Sequence, residues 1–390
     1  MVNNFIKLLF FHLLFSCQLS CIAQNKITDI QVGAEQTEKY LSILKGKNIA
    51  LVVNQTSTIK NTHLADSLKS LGIKIDKVFA PEHGFRGNAD AGEHIANGID
   101  KKSGLQVVSL YGKNYKPTAK QLNKIDYVVF DIQDVGARFY TYISTLHYVM
   151  EACAENNIPL IILDRPNPNG SYFDGPVLDT NFRSFVGVHP IPIVHGLTMG
   201  ELAQMINGEK WLKAKKVCNI KIISCLNYTH DAEYQFLIKP SPNLPNNQSI
   251  YLYPSLCLFE GVNMASVGRG TDFPFQVYGG IFPNMGSFQF TPKPIIGMDK
   301  NPKFKDKTCF GKDLRNEKNP KKFTLEYVLD LYAHKPDTGK FFNNFFDKLA
   351  GTDKLRKAIE AGQSEAQIRA SWQEDLNKYA EKRKNYLIYK

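Results

Sequence analysis

The chain has 390 residues, 43% of them hydrophobic, with 48 basic against 37 acidic side chains and a formal net charge of +11. That apolar share supports a large core and excludes a disordered chain or a disulfide-held miniprotein; the length suits two domains, or one large α/β domain with an appendage. The basic residues are dispersed, with excesses between Lys293 and Lys322 and at the C-terminus, and no helix-turn-helix, zinc-finger or ribonucleoprotein signature accompanies them. Nucleic acid is therefore not the expected partner, and an anionic cell-wall polymer fits the charge better.

Residues 1–23 differ from the rest. Lys7 precedes Leu8-Leu9-Phe10-Phe11 and Leu13-Leu14-Phe15, and small residues follow around Ser20 to Ala23. That is the order of a secretory signal peptide, with cleavage expected after Ala23. The apolar run is too short for a permanent membrane span. A soluble periplasmic or secreted protein is expected, with lipid attachment at Cys21 or Cys17 as the rival. Five cysteines then remain, at 153, 218, 225, 257 and 309. Cys218 and Cys225 flank a strand-like run and are the candidate pair, against a simpler reading of buried free thiols.

Ile49–Val53 is a continuous apolar run, and Thr62–Leu71 has helical spacing closed by Gly72. Strand-like runs follow at Ile73–Phe79, Val107–Leu110, Tyr127–Phe130 and Pro159–Leu163, with a helix expected over Tyr140–Asn157. Near-continuous apolar strands separated by helices predict an α/β fold, a Rossmann-like doubly wound parallel sheet covered on both faces. The residues leaving these strands are Asn54, then Glu82 and His83, Tyr111, Asp131 and Asp134, and Asp164 and Arg165. They would share one rim, where open α/β sheets bind ligands. Near residue 240 the texture changes at Lys239-Pro-Ser-Pro-Asn-Leu-Pro. Residues 24–240 are read as the catalytic domain and 241–390 as a smaller α+β domain, with helices near Leu325–Tyr332 and Ser364–Tyr379.

Two clusters carry chemistry. In Ala80-Pro-Glu-His-Gly-Phe-Arg-Gly87 a strand exit delivers Glu82, His83 and Arg86. In Asp131-Ile-Gln-Asp-Val-Gly-Ala-Arg-Phe-Tyr-Thr-Tyr142 two acids, an arginine and two tyrosines lead into a helix; Arg138 is a candidate salt-bridge partner for Asp131. Asp164 and Arg165 are read as pairing with each other. No G-x-S-x-G, G-x-G-x-x-G, P-loop or H-E-x-x-H is present. His83, Glu93 and His94 match no metal signature, so neither cofactor nor metal is expected. Paired carboxylates in an aromatic cleft suit glycoside hydrolysis.

The stretches PEHGFRG, AGEHI, SLYG, FDIQDVGARFYTYISTLHYVMEA, LDRPNPNG, DGPVLD, HGLTMGEL, PSPNLP, YPSLCLFEG and GRGTDFPF resemble, in this order, the exo-β-N-acetylmuramidase family of peptidoglycan hexosaminidases. The resemblance is dense from Ile49 to Gly280 and thinner beyond. It implies a Rossmann-like catalytic domain, an auxiliary C-terminal domain, a site between them, and release of N-acetylmuramic acid from non-reducing ends of peptidoglycan fragments without cofactor. It gives Glu82 the acid/base role, and either Asp131 or Asp134 is the expected assisting carboxylate. Asn54, His83, Arg86, Glu93, Tyr111, Arg138, Tyr140, Arg165, Arg269 and Tyr278 form the expected substrate-binding set. Muramic acid carries a lactyl carboxylate, for which Arg138 or Arg269 is the expected partner. The alternative is a wall-binding protein without catalysis.

Overall fold

The computed structural model describes residues 29–87, 93, 97–213, 215–337 and 339–390. The segment expected to be a signal peptide, with Cys17 and Cys21, and His94 lie outside the described residues. Seven strands form the main sheet: β1 (Asn48–Val53), β2 (Lys74–Ala80), β3 (Gly98–Ile99), β4 (Gln106–Ser109), β5 (Tyr127–Asp131), β6 (Leu160–Leu163) and β7 (Ile220–Ile223). Their spatial order is β3-β4-β2-β1-β5-β6-β7, and every pairing is parallel except β3 with β4. The parallel strands thus run outward in both directions from the centre. The chain order reverses between β1 and β5, which is the topological switch of a doubly wound sheet.

The strands alternate cleanly between two cores. Ile49, Leu51, Val53, Val78, Val129 and Ile161 pack on one face with Leu64 and Leu68 of α1 (Leu64–Ser70). Ala50, Val52, Phe79, Val128, Phe130 and Leu160 pack on the other with α3 (Tyr142–Asn156) and α4 (Met199–Gly208). A short helix α2 (Ala119–Leu122) precedes β5. Burial on both faces explains why the strands read as continuous apolar runs. Helix α1 starts at Leu64 rather than Thr62, because Thr62–His63 pairs with Thr58–Ile59 as a small hairpin and His63 caps the helix by accepting from the Ala65 N–H. Helix α4 was not foreseen. Its signal is the capping box Thr198-x-x-Glu201, in which both reciprocal bonds form.

The second core continues without a break into the C-terminal part, where Leu252, Phe259, Phe342, Phe346 and Leu376 join it. That part holds α5 (Asn247–Leu256), an antiparallel sheet of β8 (Val277–Gly280), β9 (Phe288–Phe290) and β10 (Cys309–Asp313) in the order β8-β10-β9, and the helices α6 (Glu326–Ala333), α7 (Asn344–Ala350), α8 (Lys354–Glu360), α9 (Glu365–Ala370) and α10 (Gln373–Lys384). The single helix expected over Ser364–Tyr379 is therefore two. The chain breaks at Ser371-Trp372, where the Trp372 ring turns into the core.

The five cysteines among the described residues are all buried and free. Cys218 neighbours Cys153, while Cys225 donates its thiol to the Asp164 carbonyl at 3.2 Å. The candidate Cys218–Cys225 pair is not formed.

Candidate active site

Strand β2 ends at Ala80, and Pro81-Glu82-His83-Gly84 turns away from the sheet, closed by the Gly84 N–H to the Pro81 carbonyl at 3.0 Å. His83 has φ +68°, a left-handed conformation that costs a non-glycine residue about 1–2 kcal/mol. What holds it there includes a contact between its Nε2 and the Ser241 hydroxyl at 3.2 Å. Strain of this kind concentrates at functional turns.

The turn sets Glu82 against the start of α3. Thr141, the N-cap residue of that helix, makes no side-chain cap bond. Its hydroxyl instead donates to Glu82 Oε2 at 2.7 Å. A threonine in this position normally satisfies a helix amide; here the hydroxyl is spent on the carboxylate, and the positive end of a 15-residue helix lies beside it. Tyr111, leaving β4, hydrogen-bonds the same carboxylate. Burial first, then the Glu82 charge, push the Tyr111 hydroxyl above its ordinary pKa, so it stays a donor. Burial and Glu82 do the same to Tyr142.

Glu82 and His83 line a small cavity shared by both parts of the chain. Tyr140 and Thr141 come from the start of α3, Ser241 and Asn243 from the connecting loop, and Tyr253, Arg269 and Phe275 from the C-terminal part. The aromatic rings lock edge to face, Tyr140 to Tyr253 at 5.8 Å and Tyr253 to Phe275 at 5.0 Å. The Tyr140 and Tyr142 hydroxyls both donate to the Pro240 carbonyl, at 2.7 and 3.3 Å. Arg269 lies over Phe275 at 4.9 Å and gives its Nε to Glu260 at 2.8 Å. Burial opposes the Arg269 charge, but Glu260 outweighs it and the guanidinium is held firmly protonated. No hydrogen bond to the two terminal nitrogens is found among the described residues. Glu260 was not singled out in the sequence, although it lies in the YPSLCLFEG stretch.

The other expected site residues divide. Asn54 is fully buried at the switch point. Its Oδ1 accepts from the Thr56 N–H and hydroxyl, and its Nδ2 has no hydrogen-bond partner among the described residues. Glu93 meets Lys300 of the C-terminal part at 3.0 Å. Asp134 is not in the cavity lining; its Oδ2 accepts from the Gly136 N–H at 2.7 Å and lies 3.5 Å from His195 Nε2. Gly136 is required there: its φ is +79°, and a Cβ would stand 2.2 Å from Asn167.

Asp131 is fully buried, and both its oxygens accept from Arg165, at 2.5 and 2.9 Å. Its partner is thus Arg165 and not Arg138, and Arg165 does not pair with Asp164. The Asp164 carboxylate instead accepts from Thr198, Gly200 and Tyr389, and burial above all raises its pKa to about 6. Arg138 is also withdrawn from any ligand. Its terminal nitrogens donate to the carbonyls of Pro176, Ile191, Leu349 and Ala350 at 2.7–3.0 Å, tying the sheet domain to α7, and burial lowers its pKa to about 9. Arg86 bonds Asp66 and Asp100. Tyr278 donates to Asp330 at 2.8 Å inside the C-terminal part. Neither lines the Glu82 cavity.

A larger cavity, about 730 Å³, opens over the switch point and is lined by Thr56, Thr58, Gln133, Arg165 and the segment 233–238. Size favours it, but chemistry favours the smaller one. Glu82 with its Thr141 donor, an aromatic wall and the Arg269 guanidinium meet there.

Residues 49–248 match the family model for the N-terminal domain of the exo-beta-N-acetylmuramidase NamZ, and residues 251–389 match that for its C-terminal domain. The chain belongs to this family. It is 38% identical over 374 residues to the peptidoglycan beta-N-acetylmuramidase NamZ of Bacillus subtilis, covering 90% of this chain and 89% of that protein. Two solved DUF1343 family proteins of Bacteroides fragilis superpose on it. One has 47% identity and a TM-score of 0.85, the other 29% and 0.79, each over 93% of this chain and 99% of the other. Glu82 and Arg269 thus come from the two different domains of the NamZ family architecture.

Proposed function

We propose that this protein is an exo-acting glycosidase that releases N-acetylmuramic acid from non-reducing ends of peptidoglycan fragments, with Glu82 as general acid/base. The observation that carries the reading is the placement of Glu82 on the wall of a cavity between the domains, held by Thr141 and Tyr111 and facing a wall that includes Arg269. Membership of the NamZ family and likeness to the Bacillus subtilis enzyme support the substrate class. A protonated Glu82 gives its proton to the departing sugar oxygen as the glycosidic bond breaks; the oxygen of a water forms the new bond at the anomeric carbon, and the proton that water releases restores the acid. Tyrosine and phenylalanine rings hold the sugar face. Arg269, its Nε committed to Glu260, has two terminal nitrogens in the right fork to receive the lactyl carboxylate.

The direct test is turnover of a chromogenic muramic-acid glycoside by the wild-type protein and by Glu82→Gln. Activity in the first and its loss in the second are expected; equal turnover would reject the assignment. We also infer that the protein works outside the cytoplasm, on the strength of residues 1–23. No helix among the described residues is long and apolar enough to cross a membrane. N-terminal sequencing of the protein from an envelope fraction should find Gln24 first. A retained Met1 would overturn the inference, and a lipidated Cys21 would replace the soluble form with an anchored one.

A further inference from the structure

An acid that protonates a glycosidic oxygen stands between the sugar it releases and the remainder of the chain. On one side of Glu82 is the aromatic cavity with Arg269. Tyr111 meets the same carboxylate from outside that lining, and a file of aromatic rings continues from it. Tyr111 meets Phe185 at 6.0 Å; Phe185 stacks on Tyr115 at 4.0 Å and lies parallel to Tyr148 at 6.3 Å, with an interplanar angle of 11°. All four rings are only half-buried. Phe185 is fixed by its own backbone, whose carbonyl accepts from Ser144 of α3 at 2.7 Å.

The file ends in a cavity of about 290 Å³, lined by Tyr115, Tyr148, Phe185 and Trp211 with Arg183 and Lys213 at its rim, near the lower bound for small-ligand sites. The carboxylate in that lining, Glu151, accepts from Lys116 at 2.8 Å, which it shares with Glu155, and from the Lys213 N–H at 3.0 Å, so three cations here face two acids. Arg183 and Lys213 are exposed, and neither forms an ion pair among the described residues. The cavity therefore presents apolar ring faces and two uncommitted cations. A satellite core under α3 would need the rings and not the cations.

We propose that this track binds the leaving part of the glycan, two sugars beyond the scissile bond. The inference rests on the glycosidase reading above and extends it from the released sugar to the rest of the substrate. In peptidoglycan, glucosamine and muramic acid alternate. The ring after the released muramic acid is neutral, and the one after that carries a lactyl carboxylate again. The track has the same order. Phe185 and Tyr115 offer apolar ring surface beside Tyr111, the ring that meets Glu82, and the Tyr148–Trp211 cavity adds Arg183 and Lys213 further along, where the second carboxylate arrives.

The test compares kcat/KM on a muramic acid–glucosamine tetrasaccharide with kcat/KM on a chromogenic muramic-acid glycoside that fills only the released-sugar site. The ratio should fall about tenfold in an Arg183→Ala, Lys213→Ala double variant, as for the loss of a partly exposed charge contact, and should do so through KM. Tyr148→Ala should lower it in the same direction. An unchanged ratio in both variants, including a parallel loss on both substrates, overturns the track. Calorimetric titration of Glu82→Gln with the di- and tetrasaccharide separates the two readings, since it needs no turnover. Tighter binding of the tetrasaccharide that disappears with Arg183 and Lys213 supports the track even where the wild type hydrolyses neither sugar, a result that would sink the glycosidase reading alone. Equal binding of the two lengths overturns it.

Discussion

The exits of β2 and β5 flank β1 on the same rim, and each delivers a carboxylate. At β5, Asp131 is wholly enclosed and gripped by both arms of Arg165, which also reaches the Thr58 carbonyl. At β2, Glu82 is half-buried, held by the hydroxyls of Thr141 and Tyr111, and opens on a cavity. The first arrangement satisfies a charge with a charge and leaves neither oxygen of Asp131 without a partner. The second sets two neutral hydroxyl donors on a carboxylate that borders a cavity. Closeness to the switch point is therefore a poor guide to chemistry in this molecule. The manner in which each charge is satisfied is the better one.

Four experiments press on this contrast. The largest effect is expected for Glu82→Gln, with turnover falling on the order of 10³-fold and the thermal midpoint unchanged; a drop in stability with activity retained would reverse the two regions. Asp131→Asn should do the opposite. It strands Arg165 without its counter-charge, costing about 3–5 kcal/mol of stability, read from denaturant titration, while turnover per folded molecule survives. Lost turnover at full stability would return Asp131 to the catalytic set. Arg269→Gln should weaken muramic-acid glycosides by roughly 10- to 100-fold, as for a hydrogen-bonded charge, and glucosamine glycosides far less. Equal losses on both would remove Arg269 from the lactyl site.

The smallest effect concerns pH. His63 holds the Asn54 carbonyl and the start of α1, and burial foremost lowers its pKa to about 4. Between the ordinary value near 6.5 and about 4, the unfolded chain binds a proton that the folded protein refuses. Stability therefore falls as pH falls through that window, by at most about 3 kcal/mol. His63→Gln should flatten the stability–pH curve there; an unaltered slope would show that His63 is not responsible.

Much of the scaffold was legible because its signals are local. Apolar runs of four to seven residues marked the parallel strands, and the polar groups following them marked the rim. Glu82 was visible as an ionisable group at a strand exit. Its partners were less so. Thr141 looks like an ordinary helix cap, and only the position of the β2 turn shows that its hydroxyl goes to Glu82. Arg138 is an arginine in an acidic motif, yet four backbone carbonyls from remote segments claim it. The break at Trp372 and the pairing of Asp131 with Arg165 likewise depend on contacts between residues distant in sequence.

Periodicity and contiguous motifs, which survive without coordinates, were enough for the doubly wound sheet, the family and the strand exit from which the acid comes. The tertiary structure decided which charged groups remain available. An ionisable side chain is free or committed according to what other segments bring within about 3 Å of it, and that proximity is a property of the packed chain rather than of any motif. Arg138, Arg165 and Asp131 were thereby withdrawn into the framework, and Arg269 was placed on the cavity wall with Glu82.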